Sequence, residues 1–315
     1  AELNNDLSFM IDLNCLDKKA PPEFFKWAKP VITRPKFLFR FQNTVIHPKE
    51  SQIYFIDLDK CTSDLGAKFD CEHSIFDFFS RKILLDSEII NGNILHLGIS
   101  SPSNNFWHWM HEVYARLIRA KRFYDLNFFD KIIIPKITHS FQLDALKLLG
   151  IEKDSLITNE SFFKCKGNLF TLNIDSITSS LELREFFMNS FSNEISLIDR
   201  KVFLDRNSKS GNQIREIINF ESHKSKYLEA GFEFIRPETL SIKEQAKLFL
   251  TSKSVIGASG SAFTLAGLMQ INSKVVEIFS QNFVDPAIAM NCAAAKIKYG
   301  FYVENAYRPS KNDSW

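Results

Sequence analysis

The chain has 315 residues, of which 45% are hydrophobic and 24% are charged. This composition is typical of a globular protein, and a length near 300 predicts two domains. Lys and Arg number 39 and Asp and Glu number 37, giving a net charge of +2. So small a charge argues against nucleic acid as a partner, and any anion site must be local.

Cysteine usage and apolar runs bear on the compartment. The five cysteines are scattered, without the spacing of a zinc site or a disulfide framework, which indicates a reducing compartment. The numbered chain starts without a secretory signal pattern, and its longest uncharged run, residues 254–273, is interrupted by polar residues. We therefore expect a cytoplasmic protein. Peripheral attachment to the inner face of the membrane stays open.

The first part of the chain, residues 1–90, has a mixed and irregular pattern. Asp57 and Asp59 are spaced as in a metal-binding Asp-x-Asp motif, but this triplet is common by chance, and we predict no metal site. Alternating and Phe-rich segments predict strands at residues 36–41 and 53–58 and a helix near residues 74–84.

From residue 93 onward, apolar strands alternate with helical patterns, which is typical of βα units in a largely parallel sheet. We predict one α/β domain at residues 1–175 and a second at residues 176–315. In the first, the predicted strands are residues 93–99, 131–135, 156–158 and 166–172, and the helices are residues 105–124 and 141–149. In the second, helices are predicted at residues 176–196, 216–230, 241–250 and from about Ala262, with strands at residues 201–205, 232–235, 254–258 and 274–279.

The stretch from residue 105 to residue 116 combines polar groups with a strongly aromatic helical pattern. Asn105, His108 and Glu112 have i, i+3, i+7 spacing, so they lie on one helix face beside an apolar face. Polar groups at the edge of a buried face are costly unless they pair with each other or with a ligand. Two interpretations follow: a structural network at a helix start capped by Asn104 or Asn105, or a ligand site.

In the second half, two segments are suited to binding a phosphate. Arg206 and Arg215 follow a predicted strand, where they form either a phosphate site or a solvated basic loop. The second segment is a small-residue turn that leads from a strand into a predicted helix, whose free N–H groups would bind an anion. Its candidate residues are Ser259, Gly260, Ser261 and Ala262.

Glu277 stands in an otherwise apolar strand. It is a candidate for binding ribose hydroxyls, or alternatively a partly exposed strand end.

No Lys follows Gly260 as in a Walker A loop, and the glycines do not form Gly-x-Gly-x-x-Gly. These absences count against a nucleoside triphosphatase, a dinucleotide enzyme, or a kinase or epimerase on a similar scaffold.

Taken together, these motifs resemble glycosyltransferase family sixty-one. Its bacterial members typically carry an Asn-x-x-His-Trp-x-x-(Asp/Glu)-x-x-x-Arg helix, a strand followed by two Arg and an Asn, and a Ser-x-x-Glu-Gln helix. A Gly-x-His-Gly turn and a Val-x-Glu-(Ile/Leu)-Phe strand then follow. The similar residues here are Asn105, His108, Trp109, Glu112, Arg116, Arg206, Arg215, Asn219, and residues 241–245, 257–264 and 275–279.

The resemblance covers residues 93–279 in the same order and with similar spacing, and it has two departures. Ser259 stands where the family usually has His, and Leu265 where it usually has Asn. Both lie at the turn proposed to bind the anion. Residues 1–90 resemble nothing that we can name.

The resemblance implies a GT-B fold, with two Rossmann-like α/β domains facing each other across a cleft. It implies an inverting, metal-independent hexosyl- or pentosyltransferase without a cofactor, acting in capsule or lipopolysaccharide synthesis. The donor would be a nucleotide sugar and the acceptor an oligosaccharide or lipid-linked glycan. A non-catalytic carbohydrate- or nucleotide-sugar-binding module on the same fold is the alternative, motivated by the two departures.

The resemblance also suggests a division of roles. Asn105, Trp109 and Arg116 would contact the acceptor, while the phosphate-turn residues, Arg206, Arg215 and Glu277 would hold the donor. Inverting transfer needs a base for the acceptor hydroxyl. We place Glu112 first and His108 second in that role, and we regard His111 as structural or exposed.

Overall fold

The computed structural model divides the chain into two compact units. Unit 1 contains residues 1–7 and 33–183, and unit 2 contains residues 8–32 and 184–315. Asp57, Asp59, the predicted helix at residues 74–84, Arg206 and Arg215 lie outside the described residues. The structure describes residues 2–3, 8–10, 14–15, 30–32, 36–47, 52–55, 60–62, 87–99, 101–158, 161–195, 199–205, 217, 220–280 and 284–304.

Strands and helices alternate through most of the described chain. The strands are β1 (Glu2–Leu3), β2 (Ser8–Met10), β3 (Asn14–Cys15), β4 (Pro30–Ile32), β5 (Lys36–Phe41), β6 (Thr44–His47), β7 (Gln52–Phe55), β8 (Lys60–Thr62), β9 (Glu88–Ile90), β10 (Asn93–His96), β11 (Lys131–Ile133), β12 (Leu156–Ile157), β13 (Phe163–Cys165), β14 (Asn168–Leu172), β15 (Arg200–Leu204), β16 (Phe232–Ile235), β17 (Ser252–Ala258), β18 (Lys274–Ser280) and β19 (Lys298–Glu304). The helices are α1 (residues 106–123), α2 (Ser140–Leu148), α3 (Ser179–Phe191), α4 (Phe220–Glu229), α5 (Ile242–Thr251) and α6 (Ala287–Ala294).

Unit 1 contains two sheets. The first has the strand order β1-β5-β14-β10-β11-β12. Strands β14, β10, β11 and β12 pair in parallel, and β5 and β1 add antiparallel at one edge. The second sheet has the order β8-β7-β6-β13-β9; among its described strands, β13 and β9 pair in parallel and the others pair antiparallel. Because both sheets contribute to one buried apolar cluster, they share a core; the cluster consists of Ile46, Ile53, Ile90, Ile94, Ile133, Phe163, Cys165 and Leu169.

Strand β14 confirms the strand predicted at residues 166–172, and β13 was not predicted. The chain leaves one sheet after Cys165 and enters the other at Asn168. Gly167 permits this crossing, because a Cβ atom there would lie 2.0 Å from the Gly92 carbonyl oxygen. No residue with a side chain fits so close an approach of two backbones.

Helix α1 follows β10 and has a π-helical segment in its middle. It begins with Phe106–His108 as α-helix, continues with Trp109–Tyr114 as π-helix, and returns to α-helix at Ala115–Phe123. In the π segment, the Ala115 N–H donates to the Met110 carbonyl, five residues before it. The prediction of a helix at residues 105–124 is confirmed, but the π segment was not predicted.

A buried ion-pair network joins β5, α1 and α3 in unit 1. Arg119 donates to both Glu182 carboxylate oxygens at 2.8 and 2.9 Å, and the Lys36 ammonium lies 2.9 Å from Glu182 Oε1. Arg119 also donates to the Asn173 carbonyl. Burial would raise the pKa of Glu182, but the charges and hydrogen bonds of Arg119 and Lys36 outweigh it and lower that pKa.

Unit 2 is built on a parallel sheet with the order β16-β15-β17-β18-β19-β3. Its first five strands follow the 2-1-3-4-5 order of a doubly wound α/β fold. Helix α4 packs on this sheet through aromatic contacts, since Phe220 and Tyr227 lie against Phe203 and Phe234 of the strands. The parallel sheets of both units confirm the predicted α/β class.

The segment after β17 corrects another prediction. The pattern predicted a helix from about Ala262, but the structure has two short 3₁₀ turns, Ser261–Phe263 and Ala266–Leu268. Nearly every residue from Phe263 to Met269 is buried. A segment buried on all sides lacks the one-sided periodicity that identifies a helix.

The other predicted strands and helices that lie in the described chain match observed elements to within a few residues. These are β5, β7, β10, β11, β12, α2, α3, β15, α4, β16, α5, β17 and β18. Among the described helices, none combines the length and the apolar character needed to cross a bilayer.

We expect Arg119→Met to destabilise unit 1 strongly. The substitution leaves Glu182 buried with only Lys36 as a charged partner, and breaking a buried pair costs roughly 3–5 kcal/mol. Urea unfolding followed by tryptophan fluorescence measures the loss. Arg122→Met, at an exposed position of the same helix, is the control. Equal losses in the two variants would contradict the importance of the network.

Candidate functional site

The N-terminal half of α1 brings His108 and Glu112 together. Nδ1 of His108 lies 3.0 Å from Oε1 of Glu112, at i, i+4 spacing. The side chain of His108 is 28% exposed and that of Glu112 is 10% exposed, so the imidazole is the more accessible partner. Within the described chain, Oε2 of Glu112 and Nδ1 of His108 are both buried, and neither makes a hydrogen bond of regular geometry. The two groups therefore form a contacting acid–imidazole pair with unused hydrogen-bonding capacity.

Asn105 begins the helix that carries this pair. Its backbone is extended, and its side-chain oxygen accepts a hydrogen bond from the Trp107 N–H at 2.8 Å. The structure thus confirms one of the two predicted N-caps. The side chain of Asn105 is exposed, while Trp109 is fully buried. Contact of either residue with an acceptor stays a prediction, and for Trp109 it would require a change in the burial seen here.

Arg116 ties the π segment to the sheet. It is 3% exposed, and its guanidinium donates to the carbonyls of Leu97 and Gly98, each at 2.8 Å, and of Leu172 at 3.3 Å. Its Nε also donates to the carbonyl of Glu112. The predicted contact of Arg116 with an acceptor stays a prediction. In the structure this guanidinium anchors the main chain at the carboxyl ends of β10 and β14.

His111 contacts a segment that the sequence analysis did not connect with the helix. It is 1% exposed, and its Nδ1 lies 2.7 Å from the hydroxyl of Ser179 at the start of α3. The Trp107 ring lies beside both imidazoles, with its centroid 5.1 Å from that of His108 and 5.0 Å from that of His111. No motif in the sequence marks Ser179, so only the structure shows this contact.

In unit 2, the strand order locates a second candidate site. The chain runs from β15 to β16 on one side and then to β17 on the other, so β15 and β17 flank a topological switch point. Ligands of doubly wound sheets bind beyond the carboxyl ends of the strands at such a point. Asp205 follows β15 there, and Ser259 and Gly260 follow β17. The sheet thus brings the predicted phosphate turn to the expected edge.

The turn after β17 has backbone geometry that depends on glycine. Gly260 has a φ of 142°, a region that side chains disfavour. The Ser259 N–H donates to the Ile278 carbonyl, and the Phe263 N–H closes the turn onto the Gly260 carbonyl. Ser261 and Ala262 are half-buried at the start of the 3₁₀ turn. The predicted helix dipole is missing here, so any anion would depend on individual N–H and hydroxyl groups.

Glu277 lies directly behind this turn. It is fully buried, and its Oε2 accepts a hydrogen bond from the Tyr299 hydroxyl at 2.8 Å. Burial raises the pKa of Glu277 to about 7, while hydrogen bonds from Tyr299, the Ser259 side chain and the Gly260 N–H act in the opposite direction. The charge of Asp285 adds to the increase. The predicted ribose contact stays a prediction and requires the Glu277 carboxyl to become accessible.

The other predicted donor residues, Arg206 and Arg215, lie outside the described residues. The structure therefore brings Ser259 and Gly260 together with Glu277, and it adds Tyr299, which the sequence analysis missed. Tyr299 lies on β19, a strand that the sequence pattern did not predict, so no signal in the sequence pointed to this contact. Among the described residues, no group of three or more His, Cys, Asp or Glu side chains is arranged to hold a metal ion.

Comparison with known families now bears on these sites. The family model described as Glycosyltransferase 61 matches residues 106–276, more than half of the chain. The chain belongs to the Glycosyltransferase 61 family. This confirms the family resemblance, and family membership implies glycosyltransferase activity, with a sugar donor and a glycan acceptor. The matched segment contains both the His108–Glu112 pair and the Ser259–Gly260 turn. A search of the curated proteins finds no match.

The raised pKa of Glu277 predicts that the folding stability of this glycosyltransferase depends on pH. Its pKa is about 7 in the folded protein against an ordinary value of 4.5. The unfolded chain therefore loses the proton first, and stability falls as pH rises from 4.5 through 7. The loss amounts to roughly 3 kcal/mol. Because Glu277→Gln cannot ionise, we expect it to be more stable relative to wild type at pH 8 than at pH 5.

Urea unfolding at the two pH values measures this difference. Glu229→Gln, at an exposed position of α4, is the matched control and should show little pH-dependent change relative to wild type. If Glu277→Gln gave the same difference from wild type at pH 5 and pH 8, the buried carboxyl would not titrate in this range.

Proposed function

We propose that this protein is an inverting glycosyltransferase that moves a hexosyl or pentosyl group from a nucleotide sugar to a hydroxyl of an oligosaccharide or lipid-linked glycan. The observation that carries the proposal is the contacting His108–Glu112 pair inside the family-matched segment. An acid and an imidazole in contact are suited to removing a proton from a hydroxyl.

The geometry of the pair supports a division of labour. Glu112 faces Nδ1 of His108, which leaves Nε2 as the ring atom directed away from the carboxylate. Since His108 is the more exposed of the two, we assign proton removal to His108 and orientation of its ring to Glu112. This reverses the order expected from the sequence, because the free Glu112 oxygen is buried.

In the proposed step, His108 takes the proton of the acceptor hydroxyl while the hydroxyl oxygen attacks the anomeric carbon of the donor sugar. The bond between that carbon and the donor phosphate breaks, and its electron pair leaves with the nucleoside diphosphate. Attack opposite to the leaving group inverts the anomeric configuration. Stabilising the developing phosphate charge requires cations or N–H groups. We assign this role to Arg206, Arg215 and the turn formed by Ser259, Gly260, Ser261 and Ala262.

We further propose a GT-B fold in which unit 1 serves the acceptor and unit 2 the donor, with no metal ion required. Support comes from the two parallel sheets and from the switch-point position of the Ser259–Gly260 turn. On the acceptor side, Asn105 is exposed at the start of the helix, while Trp109 and Arg116 are buried and pack the helix against unit 1. A cytoplasmic role in bacterial capsule or lipopolysaccharide synthesis completes the proposal, with peripheral membrane attachment as part of it.

A second candidate function is a non-catalytic module that binds a nucleotide sugar. Ser259 and Leu265 favour it, because they replace residues usual at the family's turn. The side chain of Leu265 is apolar and buried, so it offers no hydrogen-bonding group to a donor. Calorimetric binding of a nucleotide sugar, without transferred product by mass spectrometry, would support this module over the enzyme.

The first prediction of the proposal concerns the base. His108→Ala and Glu112→Gln should each lower transfer by roughly 10²-fold or more while the protein stays folded. The double variant should be little slower than His108→Ala alone, because the two residues act as one unit. Product formation is measured by mass spectrometry. His223→Ala and Glu152→Gln, at exposed positions, are the matched controls. Wild-type rates in both site variants would overturn the assignment.

The second prediction concerns the donor. A panel of sugars linked to UDP, GDP and dTDP should contain at least one compound that raises the melting temperature. A ligand at 100 times its dissociation constant adds about 2.7 kcal/mol of stability. Thermal shift measured by differential scanning fluorimetry detects this, and the free sugars without nucleotide are the controls. No shift with any compound would count against a nucleotide-sugar site.

A further inference from the structure

We propose that His111 and Ser179 are positioning residues for the His108–Glu112 pair. The inference rests on the proposed function and adds to it two residues outside the family's helix motif. Both are buried, with exposures of 1% and 0%. Their contact, at 2.7 Å, joins the π segment of α1 to the start of α3.

The direction of this hydrogen bond follows from the number of protons available. The Ser179 hydroxyl donates its single proton to the Ser176 carbonyl at 2.8 Å. Towards His111 the same oxygen must therefore accept, so Nδ1 of His111 carries a proton. The ring is thus held in one orientation and with one nitrogen protonated.

The partner of His111 is itself held in place. Asp175 accepts hydrogen bonds from both the N–H and the hydroxyl of Thr178, and the Ser179 N–H donates to the Asp175 carbonyl. These bonds fix the turn that leads into α3. Ser179 is therefore a fixed acceptor, and His111 is oriented against a rigid part of unit 1.

The fixed His111 ring reaches the reacting pair by two routes. His111 directly precedes Glu112 in the π segment, so holding its side chain restrains the backbone that carries the carboxylate. It also contacts the Trp107 ring, which lies against the His108 ring as well. Arg116 restrains the same backbone by binding the Glu112 carbonyl. Loss of the Ser179 contact would loosen Glu112 and Trp107 together.

A nucleophilic role for Ser179 does not fit these contacts. Its hydroxyl is inaccessible to solvent, and its proton is donated to a carbonyl oxygen rather than to the imidazole. A base-activated serine would show the opposite direction. The serine and imidazole here support the neighbouring pair instead.

A double-mutant cycle tests the proposal. We expect Ser179→Ala to lower kcat about 10-fold with little change in KM for the donor, and to have less than about a 2-fold effect when added to Glu112→Gln. Rates are measured as nucleoside diphosphate release from the panel compound with the largest thermal shift. Ser180→Ala is the matched control, since Ser180 is also buried but donates to Ile177. Equal effects of Ser179→Ala in both backgrounds would overturn the proposal.

Conservative replacement separates positioning from a general loss of packing. An Asn at position 111 places an amide N–H near the position of Nδ1, so His111→Asn should keep most of the kcat, whereas His111→Leu should lose it. Melting temperatures of both variants report on folding. Similar activity of a folded His111→Leu variant and wild type would contradict the proposal.

A measurement without substrate separates this proposal from the proposed function. Nitrogen-15 NMR of histidine-labelled protein reports which ring nitrogen carries the proton, and we expect Nδ1 for His111, lost in Ser179→Ala. A proton found only on Nε2 would overturn the positioning role whatever the enzyme does. A different outcome concerns the proposed function. If Nδ1 of His111 is protonated but Glu112→Gln is fully active, the effects of Ser179→Ala and Glu112→Gln are additive. The base assignment then fails, and the positioning role fails with it.

Discussion

The guanidinium of Arg116 is the group on which the site in unit 1 depends most. It is buried, and it donates hydrogen bonds to the main-chain carbonyls of Leu97, Gly98, Leu172 and Glu112. A buried cation is stable only when its donors are satisfied, so the two strand ends and the helix cannot separate without a large cost. Because one of those carbonyls belongs to Glu112, the same bonds that hold the sheet to the helix also fix the backbone of the His108–Glu112 pair. The Arg116 side chain therefore contributes both to the fold of unit 1 and to the geometry of the candidate site.

Three buried acids show how surroundings decide what a carboxyl group does. Glu182 is buried, yet the charges of Arg119 and Lys36 lower its pKa and keep it an anion that joins three elements. Glu277 accepts a hydrogen bond from the Tyr299 hydroxyl and pairs with no cation among the described residues, and burial raises its pKa to about 7. Glu112 contacts an imidazole at the edge of the core and keeps one oxygen unpaired within the described chain. The first is suited to structure, the second to carrying a proton near neutral pH, and the third to orienting a base.

Sequence patterns identified much of this fold, and the exceptions have physical causes. Alternating strands and amphipathic helices were found because burial on one side leaves a periodic pattern in the sequence. Asn105 was one of two cap candidates, because an Asn side chain can accept a hydrogen bond from a helix N–H. The short turns after β17 were mistaken for a helix because burial on all sides leaves no such pattern. The His108–Glu112 contact follows from i, i+4 spacing, which is local. The contacts of His111 with Ser179, 68 residues away, and of Glu277 with Tyr299, 22 residues away, depend on tertiary packing, which one sequence does not reveal.

The π segment at Trp109–Tyr114 also has a consequence for how this chain can vary. A π turn accommodates one residue more than the α-helical turn in the same place, so it is equivalent to a single insertion within a helix. Each residue of an α-helix rotates the side chains by about 100°. Removing one residue here would turn Asn105 and His108 away from their present direction, while Arg116 kept the carbonyls of Leu97, Gly98 and Leu172. The segment should therefore be sensitive to a change in the number of residues, even at positions where one amino acid can replace another.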